Sequence, residues 1–206
     1  MDAMKPSQIF RIFLLSIILL LPAVSSAQST ILVFGDSLSA GYGIPREAAW
    51  PSLLQAELRR SHPHYKVINA SISGETTSGG LQRLPTTLKE HRPSIVILEL
   101  GANDGLRGTK LNLMEKSLNA LIQQSQAVGA KVLLLGMQLP PNYGLAYTKS
   151  FKALYPKLAQ RHRIALVPFM LEGVGADQFQ ADNLHPLAET QPMILETVMQ
   201  KLKQML

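Results

Sequence analysis

The 206-residue chain contains no cysteine, which excludes disulfide staples and a lipid-modified cysteine near the amino terminus. Aromatic residues make up only 6% and are nowhere interleaved with basic ones, so the stacking platform of a nucleic-acid binder is missing. The formal charge is +6, but lysine and arginine are scattered, Arg59-Arg60 and Arg161-His162-Arg163 being the densest spots. That excess reads as solvated surface rather than a nucleic-acid site. Phosphate loops are absent: there is no Gly-Lys-Ser/Thr, and after Gly41-Tyr42-Gly43 position 46 is Arg46, where a dinucleotide loop has its third glycine. No repeat, low-complexity tract or Gly/Ser linker interrupts 28–206. One apolar run is conspicuous, Ile12 to Leu21 with Ser16 inside it. It reaches only half of the roughly 20 residues that a spanning helix needs.

Lys5 and Arg11 precede that run, Pro22 breaks it, and Ala23-Val24-Ser25-Ser26-Ala27 follows. This is the layout of a secretory signal peptide cut after Ala27. Residues 1–27 are therefore expected to be a cleaved leader and 28–206 one domain, with no stable membrane insertion after cleavage. The leader's Lys5, Arg11 and Asp2 account for +1 of the charge, leaving +5 on the domain. A chain of that size buries roughly 70% of its unfolded surface and needs no staples.

Five short runs rich in Val, Ile and Leu recur without strict alternation: 30–34, 66–70, 94–100, 131–135 and 164–167. Such runs suit strands buried on both faces. Their spacing leaves room for crossover helices, which predicts right-handed βαβ units, a five-stranded parallel sheet and a three-layer α/β/α sandwich. Helical periods are visible over 48–61, 111–128 and 186–206, the last with Pro192 marking a bend or a later start.

Ligands of open parallel sheets bind beyond the carboxyl ends of the strands. There the first run leads into Gly35-Asp36-Ser37-Leu38-Ser39, the second into Ser71-Ile72-Ser73-Gly74-Glu75, and the third into Gly101-Ala102-Asn103-Asp104-Gly105. Ser37 at a strand-to-helix turn suits a nucleophile, and equally an N-cap. The N–H groups of Ser37 and Gly74 and the side-chain amide of Asn103 are candidate oxyanion donors, although Gly74 and Asn103 also suit plain turns. Of five histidines, His62, His64, His91 and His162 precede strands, at the opposite edge. His185 follows the fifth run and has Asp182 three residues before it, close enough to orient its ring, or else part of a capped helix start. Position 39 is serine, so this is not the G-x-S-x-G elbow. Asp36, Glu99 and Asp104 contribute one carboxylate per loop, which favours structural hydrogen bonds over a metal site.

Taken together, Gly35-Asp36-Ser37-Leu38-Ser39, Gly74, Gly101-x-Asn103-Asp104 and Asp182-x-x-His185-Pro186 resemble the four blocks of the SGNH (GDSL-type) hydrolases. Within that family the chain is similar to the periplasmic bacterial acyl hydrolases active as thioesterases, arylesterases and lysophospholipases. Further matches run from Ala48-Ala49-Trp50-Pro51 to Tyr155-Pro156-Lys157-Leu158-Ala159. The resemblance implies a flavodoxin-like sheet, Ser37 as nucleophile, His185 as base, Asp182 as its partner, and Ser37, Gly74 and Asn103 as the oxyanion hole. It implies substrate contacts from Asp104, Gly105, Leu106, Arg107, Gly108 and Thr109 on a mobile segment, and from Pro140, Pro141, Asn142 and Tyr143. It also implies an enzyme acting on acyl esters, thioesters or lysophospholipids and no metal or organic cofactor, while the leader points to the periplasm or secretion and a monomer is expected. Ala102, Glu75 and a longer loop around His62–His64 depart from the pattern. A carbohydrate O-deacetylase and a non-catalytic lipid- or glycan-binding protein are the competing readings. Keeping Ser37, Gly74, Asn103, Asp182 and His185 together argues against the second.

Overall fold

A computed structural model describes residues 28–206, so the expected leader, 1–27, lies outside the described residues. The strands are β1 (Ser29–Gly35), β2 (Tyr65–Asn69), β3 (Ile95–Glu99), β4 (Lys131–Leu135) and β5 (Ala165–Val167). They form one parallel sheet in the order β2-β1-β3-β4-β5. Every residue of β3 is buried, as the unbroken Ile95-Val96-Ile97-Leu98 run requires of a central strand covered on both faces. In edge strand β2 only Tyr65 is buried; Val67 and Ile68 are half-buried and Lys66 and Asn69 exposed.

The helices are α1 (Ser37–Ala40), α2 (Trp50–Ser61), α3 (Thr77–His91), α4 (Ala102–Leu106), α5 (Leu111–Ala127), α6 (Leu145–His162) and α7 (Gln191–Leu202). α2 packs with α7, while α5 packs with both α3 and α6, giving the two outer layers of an α/β/α sandwich. Leu54 and Leu58 of α2, Leu118 and Leu121 of α5, and Ile194 and Val198 of α7 point inward and are fully buried or nearly so. No helix of the described residues is long and apolar enough to cross a membrane.

One sequence expectation is corrected: the last helix starts at Gln191, not at Pro186. Pro192 lacks an N–H and fits only a first turn, so the helix begins around it. Pro186 instead forms an isolated antiparallel bridge with Phe179. Similarly, α2 begins at Trp50 with Pro51 in its first turn, after a separate 3-10 turn at Arg46–Ala48. Periodicity does not delimit α3 and α6, because each carries an internal proline, Pro85 and Pro156, that obscures the pattern.

The strand order positions the site. From β1 the chain goes to β2 on one side, whereas β3 lies on the other, so the loops leaving β1 and β3 diverge and open a crevice between them.

Candidate active site

Ser37 opens α1 directly after β1. Asp36 is the N-cap, its Oδ1 accepting from the Leu38 N–H at 3.0 Å. With capping assigned to Asp36, the Ser37 hydroxyl is free, and it lies 2.8 Å from His185 Nε2. His185 Nδ1 lies 2.7 Å from Asp182 Oδ2. The other Asp182 oxygen accepts the backbone N–H groups of Leu184 and His185 at 2.9 and 3.0 Å, which closes the turn. Asn183, at φ +56°, makes that turn tight.

Partial burial pushes the Asp182 carboxyl up, but the hydrogen bonds from the His185 backbone and ring and from Leu184 outweigh it and hold the group at about 2. Asp182 is therefore ionised and can only accept. This assigns the ring proton to Nδ1 and leaves Nε2 to accept from the Ser37 O–H. Gln180 secures the turn from behind: its N–H donates to the His185 carbonyl at 2.8 Å, and its side chain to the Tyr42 carbonyl at 2.9 Å. The Tyr42 ring packs on the imidazole, centroids 4.6 Å apart.

The other two loops carry the candidate oxyanion donors. Gly74 has φ +78°, open to glycine at no steric cost, and its carbonyl accepts from Arg107 Nη2 at 3.1 Å. Its loop is tied down by the Ile72 N–H on the Gly35 carbonyl at 3.0 Å and by the Arg83–Glu75 ion pair at 2.6 Å. Asn103, in α4, donates one amide hydrogen to Asp36 Oδ2 at 3.1 Å, which orients the amide and leaves its second hydrogen available. Gly101 caps α4 at φ +121°, and a Cβ there would land on the Tyr155 hydroxyl and 2.5 Å from Met114 Cε. Gly101→Ala is accordingly expected to lower stability by about 1–3 kcal/mol. Urea unfolding followed by circular dichroism checks this.

A cavity of about 130 Å³ adjoins Ser37, Asn103 and His185, walled by Leu38, Leu106, Met137, Leu139, Pro140, Leu171 and Leu184. From the two segments expected to touch substrate, Leu106 and Pro140 line it. Asp104 is buried, with its oxygens on the Thr77 N–H and hydroxyl at 2.8 and 2.7 Å, and Gly105 is packed beneath Leu139 and Phe151. Arg107 reaches the Gly74 carbonyl, Gly108 sits at φ +66° beside open space, and Thr109 accepts from the Tyr147 hydroxyl at 2.8 Å. Pro141, Asn142 and Tyr143 form an exposed 3-10 turn outside the cavity. Met137, Leu139 and Leu171 carry no motif that marks them in the sequence. The rule that loops leaving the carboxyl ends of strands bind ligands reaches them once it is applied after β4 and β5 as well. His62 and His64 lie at the far edge, where the His64 carbonyl accepts the Ser29 N–H at the start of β1.

A doubly wound sheet with a Ser–His–Asp chain at its switch point defines an ester hydrolase. The chain belongs to the GDSL-like lipase/acylhydrolase family, which its residues 33–191 match. It is 48% identical over 190 residues to Esterase TesA of Pseudomonas aeruginosa, covering 91% of this chain and 94% of that protein. It is 42% identical over 188 residues to Thioesterase 1/protease 1/lysophospholipase L1 of Escherichia coli K12, covering 90% and 89%. The crystal structure of TesA superposes with a TM-score of 0.84 over 86% of this chain and all of that one, at 48% identity.

Proposed function

We propose that the protein hydrolyses single-chain acyl esters and thioesters, including aryl esters and lysophospholipids, through an acyl-Ser37 intermediate. His185 Nε2 takes the hydroxyl proton as Ser37 Oγ attacks the acyl carbonyl, and Asp182 stabilises the imidazolium that forms. The oxyanion is met by the N–H groups of Ser37 and Gly74 and the free amide hydrogen of Asn103. Collapse expels the alcohol or thiol, which takes the proton from His185. Water, deprotonated by the same nitrogen, then attacks the acyl-enzyme and releases the acid.

The observation that carries this reading is the unbroken chain from Asp182 through His185 to Ser37, at 2.7 and 2.8 Å, beside an apolar cavity. Leu106, Leu139, Pro140, Leu171 and Leu184 are suited to an acyl chain, and besides Ser37, Asn103 and His185 the polar lining is Asp36 and Gln138. Arg107, Gly108 and Thr109 would act from the rim. The protein acts as a monomer in the periplasm, exported by a leader cut after Ala27.

The test is turnover of p-nitrophenyl esters from two to sixteen carbons by residues 28–206, alongside an acyl thioester and a lysophospholipid. Medium and long chains are expected to be hydrolysed at higher kcat/KM than acetate. Turnover confined to the acetyl ester would reject the acyl-chain reading in favour of a carbohydrate O-deacetylase.

A further inference from the structure

The mechanism leaves unused a fully buried carboxyl group, that of Glu99 at the end of β3. Its Oε2 accepts two hydrogen bonds, from the Asp36 N–H at 3.1 Å and the Ser39 hydroxyl at 2.7 Å. Its Oε1 is equally buried and has no hydrogen-bond partner among protein donors. Asp36 is also fully buried, and among the described residues neither carboxyl forms an ion pair with a Lys, Arg or His. Both Asp36 oxygens are engaged, one by the Leu38 N–H and the other by the Asn103 amide. Gly35 makes this arrangement possible, since a Cβ there would lie 2.5 Å from Glu99 Oε2.

Two adjacent buried carboxyls cannot both be ionised, and an ionised oxygen with no donor would be costly. An oxygen that accepts twice behaves as a carbonyl; its orphan neighbour is where a hydroxyl belongs. We propose that Glu99 is a positioning residue held as the neutral acid, donating a hydrogen bond to the Asp36 carboxylate and so fixing the Asp36–Asn103 contact that aims the Asn103 amide at the oxyanion. Burial pushes both groups up, Asp36 to about 6 and Glu99 well above the ordinary carboxyl range. The negative charge of Asp36 raises Glu99 further, which leaves the proton on Glu99. The other ionisable groups around the pair are His185, which acts on Asp36, and Tyr155 from α6, on which both carboxyls act.

The inference rests on Asn103 serving as an oxyanion donor, so its test separates the two. Glutamine reproduces a neutral acid, with one acceptor and one donor. Glu99→Gln is therefore expected to keep kcat close to wild type. Glu99→Leu, which can do neither, is expected to lose about 10²-fold in kcat with KM little changed, because a donor shifted by an ångström loses that much. Asn103→Ala is expected to lose about 10²–10³-fold by itself, and adding Glu99→Leu to it is expected to cost little more. Losses that multiply would overturn the route through Asn103. An unchanged Asn103→Ala would overturn the oxyanion assignment together with that route.

The location of the proton has its own readout. A carboxyl raised on folding contributes stability that is complete below its unfolded value, near 4.5, and is lost as pH rises toward the folded value. Glutamine carries no such loss. The Tm of Glu99→Gln is thus expected to gain on wild type as pH rises above the ordinary carboxyl range. This measurement needs neither activity nor a folded Glu99→Leu. A difference that stays flat or reverses, or a Glu99→Gln as inactive as Glu99→Leu, would show that Glu99 is ionised and overturn the proposal.

Discussion

Ser37→Ala is expected to reduce kcat by about 10⁴–10⁶-fold on every ester and thioester tested, with KM changed far less. The alanine removes the hydroxyl that lies 2.8 Å from His185 Nε2, and with it the proposed nucleophile. Substrate binding should persist, because Leu106, Leu139 and Pro140 still wall the cavity and the Gly74 and Asn103 donors are untouched. Single-turnover measurements with a p-nitrophenyl ester separate the two effects: the wild type should release a burst of nitrophenol and the variant none. A residual rate within tenfold of wild type, from folded protein, would show that another group is the nucleophile.

Asp182→Asn is expected to lower kcat by about 10⁴-fold while leaving the fold intact. One amide oxygen can still accept from the Leu184 and His185 N–H groups, so the turn should close as before. What changes is the group facing His185 Nδ1, now an NH₂ that donates. The imidazole must then carry its proton on Nε2, where it can no longer accept from the Ser37 hydroxyl. The same carboxyl also shapes the acid limb of stability. Its value falls to about 2 on folding, so its contribution is full above the unfolded carboxyl range and disappears as pH drops from about 4 toward 2. Between those limits the wild type should lose Tm faster than Asp182→Asn, which has nothing to protonate. Thermal melts at half-unit steps of pH would check this.

Both expectations concern residues that stand out in the linear sequence because they occupy loops after strands. The five strands are legible for a related reason: Ile95-Val96-Ile97-Leu98 and Val132-Leu133-Leu134-Leu135 are continuous apolar runs that only a strand covered on both faces can use. α3 and α6 were harder to see because Pro85 and Pro156 interrupt them, and their stability comes from packing against α5 rather than from propensity. Pro186 reads as a helix start in the sequence because position alone does not reveal that it pairs with Phe179 across the His185 turn.

The sequence by itself determined the layered α/β class, the parallel sheet and the short set of polar residues at its carboxyl edge. These follow from local composition and spacing, which the chain carries wherever it folds. Tertiary structure alone decided which of those residues act together. Ser37 and His185 are 148 positions apart, and only the β2-β1-β3-β4-β5 order brings them to 2.8 Å. It also decided that Asp36 caps while Ser37 is free, that Asp104 is tied to Thr77, and that Glu99 lies beneath Asp36 with one oxygen unpartnered. Nearest neighbours in the chain dictate the strands and turns, whereas burial and the direction of each hydrogen bond exist only once distant loops have converged.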